Sequence, residues 1–144
     1  MIKFGTRALQ NHPVPVNFKL ALLWASLMFL YIYNDYFSMY LPGTIDGMDA
    51  GKMGPLGDAT ELVLVSVSIL LAVPALMIFL SAALPPTFSR WLNVFLGLVY
   101  TVIEVLTLFG SALFYQIVVV LEIAVTLLIV WYAVRWPKQA EADH

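Results

Sequence analysis

Apolar residues run almost unbroken through four stretches of this chain, and the polar residues inside them recur at helical spacing. The runs are Phe18 to Leu41, Glu61 to Leu84, Trp91 to Leu108 and Leu113 to Trp136. Each is close to the roughly 20 helical residues that cross a hydrocarbon core about 30 Å thick. The apolar positions are continuous rather than alternating, which selects helices over barrel strands, and helices satisfy their own backbone hydrogen bonds in lipid. The expected fold is all-α: an integral membrane four-helix bundle over 18–136, after an interfacial lead-in over 1–17 and before a tail over 137–144.

The polar positions sort onto helix faces. Span three carries Asn93, Gly97, Tyr100, Thr101, Glu104, Thr107 and Ser111 at steps that keep them on one side. Tyr115, Glu122, Thr126 and Ala133 share a face of span four, and Trp24, Met28, Tyr31, Asp35 and Ser38 share a face of span one. Three polar faces imply a common interior. Counted from the outer ends at about 1.5 Å per residue, Asp35, Glu104 and Glu122 all fall between the outer boundary and the midplane. An acidic residue at a span's centre costs roughly 2.5 to 3.5 kcal/mol against lipid, so the three carboxyls are expected to face protein. Buried together, they should hold protons, share one, or bind a cation. The candidate site is therefore Asp35, Glu104 and Glu122, with Tyr31, Asn34, Tyr100, Thr101 and Tyr115 as hydrogen-bonding neighbours. A plainer reading has the same residues as protonated carboxyls bonded across helices purely for packing.

Composition reinforces the membrane reading and removes other classes. A hydrophobic content of 62% and a mean hydropathy of +0.90 in 144 residues exceed what a soluble domain of this size can bury. The formal charge of −2 has no sign-specific run, so nucleic acid is not an expected partner and membrane lipid is. There is no cysteine, hence no disulfide and no thiolate chemistry, and no histidine lies within a span. Oxygen ligands alone favour a proton or hard ion over zinc or copper; any metal would fall to Asp35, Glu104 and Glu122, and no cofactor is assigned. Six of the seven Lys and Arg residues (Lys3, Arg7, Lys19, Arg90, Arg135 and Lys138) flank one side and only Lys52 the other, which places both termini in the cytoplasm of a multi-pass cell-membrane protein. Trp24, Trp91, Trp131 and Trp136 are expected at that same interface, and Tyr33, Tyr36 and Tyr40 at the outer one. The polar start of the chain makes a poor cleavable signal, so the first span is expected to be retained.

The connections are short or rich in glycine. His12-Pro13-Val14-Pro15 prevents a helix through the lead-in. Residues 42–59 carry five glycines and Asp46, Asp49 and Asp58, with Ile45, Met48, Met53 and Leu56 able to fold back as a lid or to rest on headgroups. Gly51-Lys52 lacks the first glycine and the hydroxyl of a phosphate loop, and the acidic spacing is not that of an EF-hand. Asp58 and Glu61 fit a capping box at the start of span two. Pro74 removes a backbone hydrogen bond near the middle of that span. Pro85-Pro86 breaks the chain before span three, Gly110-Ser111 makes a tight hairpin before span four, and Arg90 with Asn93 is a candidate pair for a lipid phosphate.

Tyr33 and Asp35 with Pro42-Gly43, Ser89-Arg90-Trp91 with Asn93, and Tyr115 with Glu122 ahead of Trp131-Tyr132-Ala133 occur in an order that resembles an uncharacterised family of small four-span prokaryotic membrane proteins, over roughly Asn17 to Pro137. The resemblance implies a four-helix bundle in a bacterial or archaeal cytoplasmic membrane and marks Asp35, Arg90 and Glu122 as recurring positions. It brings no activity. The sequence supports a bundle that binds or translocates a proton, a cation or a small lipophilic solute. Two alternatives stay open: an accessory subunit of a larger membrane complex or a homo-oligomer, and an enzyme acting on quinone or lipid with paired carboxyls as acid and base.

Overall fold

Proline and threonine set where the helices begin. The computed structural model describes residues 13–109 and 112–137. The early lead-in with Lys3, Arg7 and His12, the Gly110-Ser111 turn and the tail from Lys138 lie outside them. Helix α1 (Val16–Ser38) starts directly after Pro15, whose extended backbone ends the lead-in. A short α2 (Thr44–Asp49) and a 3-10 turn (Gly54–Leu56) lie in the connection to α3 (Glu61–Ala83). Thr60, not Asp58, is the cap of α3: its Oγ1 accepts the Val63 N–H at 3.3 Å. Helix α4 (Pro86–Thr107) begins ahead of the apolar run that marks it in the sequence, because Pro86 occupies the first helical position, where no N–H is needed. Helix α5 (Leu113–Val134) completes the set. All four long helices are long and apolar enough to cross a membrane.

Successive long helices run antiparallel, α3 to α4 and α4 to α5 through short links and α1 to α3 through residues 39–60. Helix α1 packs against α3 and α5, α5 packs against α4, and α3 touches α4 only lightly. The bundle thus has a termini end, carrying the α3–α4 link, and a loop end, carrying residues 39–60 and the α4–α5 link. Its interior is divided along the axis. Toward the termini end, Leu20, Trp24, Leu27, Met77, Tyr100, Ile129 and Ala133 form one buried cluster. Toward the loop end the buried side chains include Asn34, Glu104 and Glu122. Helices α4 and α5 are tightly packed at Gly97, where an added Cβ would lie 2.8 Å from Cγ2 of Val130.

In lipid, a carbonyl that loses its backbone donor needs another. Pro74 has no N–H to give the carbonyl of Leu70, and the Tyr100 hydroxyl donates to it instead, at 2.5 Å. At the end of α3, ahead of Pro85 and Pro86, the Ser81 carbonyl accepts from Ser89 Oγ at 3.0 Å and the Ala82 carbonyl from Asn17 Nδ2 at 3.5 Å. At the end of α5, Arg90 Nη2 donates to the Val134 carbonyl at 3.3 Å, a cation on the negative end of a helix. Asn93 is fully buried and gathers three helices. Its Oδ1 accepts from Trp24 Nε1 at 2.7 Å and Ser81 Oγ at 3.1 Å, and its Nδ2 donates to the Ser89 carbonyl at 2.8 Å.

The connection 39–60 has a fold of its own. Glycines 43, 51, 54 and 57 take positive φ, and Lys52 pairs with Asp58 in an isolated bridge. Ile45, Met48 and Leu56 are exposed rather than folded onto the bundle. Tyr33, Tyr36 and Tyr40 are exposed at the same end, Tyr36 and Tyr40 sharing a hydrogen bond of 3.0 Å.

Candidate functional site

Helices α1, α4 and α5 each turn a polar side chain inward on neighbouring turns at the loop end, and two of these are carboxyls. Glu104 is 2% exposed and Glu122 3% exposed. Glu104 is held at both oxygens: Tyr31 Oη donates to Oε1 at 2.7 Å, and Thr126 Oγ1 lies 2.9 Å from Oε2. Glu122 receives a single, longer contact, from Asn34 Nδ2 to Oε1 at 3.4 Å. The basic residues at the helix ends, Lys19, Arg90 and Arg135, are all at the termini end, so the carboxyls have polar neutral partners rather than counter-charges.

Thr126 ties the Glu104 carboxyl to the backbone of α5. It is fully buried one turn beyond Glu122, and its Oγ1 accepts from Thr101 Oγ1 at 2.9 Å. The same Oγ1 lies 3.2 Å from the Glu122 carbonyl and 3.1 Å from the Ile123 carbonyl. A hydroxyl has one hydrogen to give. With Glu104 ionised, Thr126 gives it to Oε2. With Glu104 protonated, the carboxyl gives its hydrogen to Thr126, which turns its own to the Glu122 or Ile123 carbonyl, the usual acceptors for threonine in a helix. Both arrangements give the Thr126 hydroxyl and the Glu104 carboxyl partners without moving a heavy atom.

The structure does not bring all the expected residues together. Asp35 is exposed on α1, and the adjacent Asn34, 3% exposed, is the residue that points inward. Positions 24, 27, 31 and 34 and positions 24, 28, 31 and 35 are both legitimate seams on an apolar helix, and packing selects the first. The described residues accordingly contain no cluster of three carboxyl or imidazole groups able to hold a metal ion, so Asp35, Glu104 and Glu122 are not a common ligand set. Tyr100 lies in the interior but its hydroxyl is committed to Leu70. Thr101 does join the glutamates, through Thr126, and Tyr115 is half-buried on the first turn of α5. Asn93 cannot reach a headgroup, being wholly enclosed, and Arg90 caps α5 while lying 5.4 Å from the Trp91 ring centre. Trp24 is likewise buried, whereas Trp91 and Trp131 are exposed at the termini end. Thr126 is the functional candidate that the sequence underplayed; its position four residues after Glu122, on the same face, was the available signal.

Taken with four membrane-length helices around buried acids, one sequence comparison decides the family: its pattern covers residues 15–143. The chain belongs to the family of unknown function DUF6326. No curated protein and no solved structure matches it. What this DUF6326 chain can do must therefore be argued from its interior. That interior offers two buried carboxyls at one end, each with its own hydrogen-bond partners, separated from the other end by the packed layer of Trp24, Leu27, Met77, Tyr100 and Ile129, in which the Trp24 and Tyr100 rings meet edge to face at 5.9 Å.

Proposed function

We propose that this DUF6326 bundle binds and releases a proton on the Glu104–Glu122 pair from the loop end. The observation that carries the reading is the Thr126 hydroxyl, which has a complete set of partners for either protonation state of Glu104. A cation held by carboxylates would leave the Tyr31 and Thr126 donors competing for the same oxygens. With a proton instead, Thr126 accepts from Glu104 and turns its own hydrogen to a backbone carbonyl. The apolar layer toward the termini end favours binding over a continuous path through the bilayer. The excess of basic residues near the termini supports cytoplasmic termini in a cell membrane, with the acidic pair opening outward. The test is proton uptake by the purified protein in weakly buffered detergent solution after a small acid step. An E104Q/E122Q variant should take up fewer protons than the parent; equal uptake by the two proteins would overturn the reading.

A second reading, as a subunit of a larger assembly, is favoured by α3. From Glu61 to Val73 that helix contributes no buried residue, although it is the most apolar of the four. Native mass measurement after gentle extraction, showing stoichiometric partners or none, separates this case from a lone bundle.

A further inference from the structure

Asn34 is 3% exposed, yet its Oδ1 is buried and accepts no hydrogen bond. Buried acceptors in lipid-embedded proteins are normally paired, so an orphan of this kind points to a donor. The other atom of the same planar amide, Nδ2, already donates to Oε1 of Glu122 at 3.4 Å. A primary amide and a carboxylic acid are complementary across two parallel hydrogen bonds: amide N–H to acid carbonyl, and acid O–H to amide carbonyl. The first is present in this structure. The second requires a hydrogen on the remaining oxygen of Glu122, turned toward Oδ1, and it would satisfy that atom.

We propose that Glu122 is the member of the pair that carries the exchangeable proton, and that Asn34 holds that proton by accepting it at Oδ1 in a cyclic acid–amide pair. The assignment deepens the proton-binding reading above and rests on it. Glu104 differs in the way the proposal needs. Both its oxygens meet hydroxyl groups that can donate, so it is furnished for either state, whereas Asn34 is fully paired only when Glu122 is an acid. The titratable groups whose charge bears on Glu122 are Glu104 from α4, Tyr115 on its own helix, Tyr31 from α1 and, from the exposed side of α1, Asp35, with no cation among them. Loss of the proton from Glu122 leaves an anion beside the Oδ1 dipole: the Nδ2 bond to Oε1 is kept, and Oδ1 is again without a donor. Asn34 is a positioning residue in this scheme: it binds the proton's carrier and not the proton's destination.

Infrared difference spectroscopy on the reconstituted protein, stepped through pH, reads the state directly through the carbonyl stretch of a protonated carboxyl. In the parent a band lowered by hydrogen bonding should titrate, and it should vanish in E122Q. In N34L the band should move to higher frequency, and its midpoint should fall by about one pH unit, a tenfold loss of proton affinity. No titrating carboxyl band in the parent would defeat the proton-binding reading itself. A Glu122 band that titrates but has the same frequency and midpoint in N34L would overturn the role of Asn34 alone. Should N34L not fold, carbon-13 labelling of asparagine in the parent gives the same answer: the Asn34 side-chain carbonyl resonance should shift with the midpoint of the Glu122 band, and an invariant resonance would overturn the proposal.

Discussion

The Tyr100 hydroxyl occupies the carbonyl of Leu70, the one acceptor that Pro74 strands in the middle of α3. Two features that look independent in the sequence are thus halves of one structural unit. Removing the hydroxyl in Tyr100→Phe leaves a carbonyl unpaired inside the membrane, and a loss of about 1 to 3 kcal/mol of folding stability follows. Pro74→Ala restores an N–H at the position that normally serves Leu70. The Tyr100→Phe, Pro74→Ala double variant should therefore lose less than the sum of the single changes, and a double-mutant cycle in reversible detergent unfolding measures the difference. Strict additivity would show that the contact does not compensate for the proline.

Gly97 on α4 packs tightly against α5, with Val130, Ile129 and the Thr126 carbonyl around its missing side chain. Valine at this position would meet the β-branched Val130, which has little freedom to retreat on a helix. Gly97→Val is expected to cost about 1 to 3 kcal/mol by overpacking, and Gly97→Ala less. Combining Gly97→Ala with Val130→Ala should recover most of the loss, again by detergent unfolding. A neutral Gly97→Val would mean the two helices are not held at this spacing.

Asn34 and Asp35 show how much of this architecture the sequence can convey. The four spans were legible because apolar length is a one-dimensional property, and the buried stripe of α4 was legible because polar and small residues interrupt an otherwise apolar helix at regular steps. Asn93, Gly97, Tyr100 and Glu104 do lie inside, whereas Thr101 is half-buried and Thr107, on the last turn, is exposed. Helix α1 has polar residues at both 34 and 35, one helical step of about 100° apart, and nothing in a helix that is apolar all round states which of the two meets the protein. Trp24 was obscured for a related reason: indole suits an interface, but it also suits an interior that supplies an acceptor, and Asn93 supplies it from a distant helix. Pairings of that kind, between residues far apart in the chain, have no local signature.

Tyr31 reaches Glu104 across the bundle from α1, and Thr126 reaches it from the adjacent α5, so each donor ties a different helix to α4. Tyr31→Phe removes a bond to a carboxyl that remains enclosed, and about 1.5 to 3 kcal/mol of stability should go with it when Glu104 is ionised. Replacing the carboxyl as well should make the phenol matter less. Glu104→Gln keeps the shape while fixing the charge at zero, and Tyr31→Phe in that background should cost no more than an ordinary neutral hydrogen bond, about 0.5 to 1.5 kcal/mol. Unfolding measured for the four combinations settles the point; the same loss in both backgrounds would show that the phenol does not sense the state of Glu104.

Asp35 stands three residues before the end of α1, about 4.5 Å along the axis, exposed among Ile32, Tyr33 and Tyr36. A carboxylate so near a helix end can extend its charge to the interfacial water, which reconciles its exposure with the cost of charge in lipid. Asp35→Asn should consequently leave the folding stability of the isolated bundle within about 0.5 kcal/mol, the range of ordinary surface changes. A loss of several kcal/mol would place Asp35 with the buried carboxyls after all. The informative comparison is between the isolated protein and the protein in its native membrane. If the α1 face that carries Asp35 docks against a partner, Asp35→Asn will change the native mass while the unfolding curve of the purified bundle stays where it was; an unchanged mass assigns that face to lipid and headgroup.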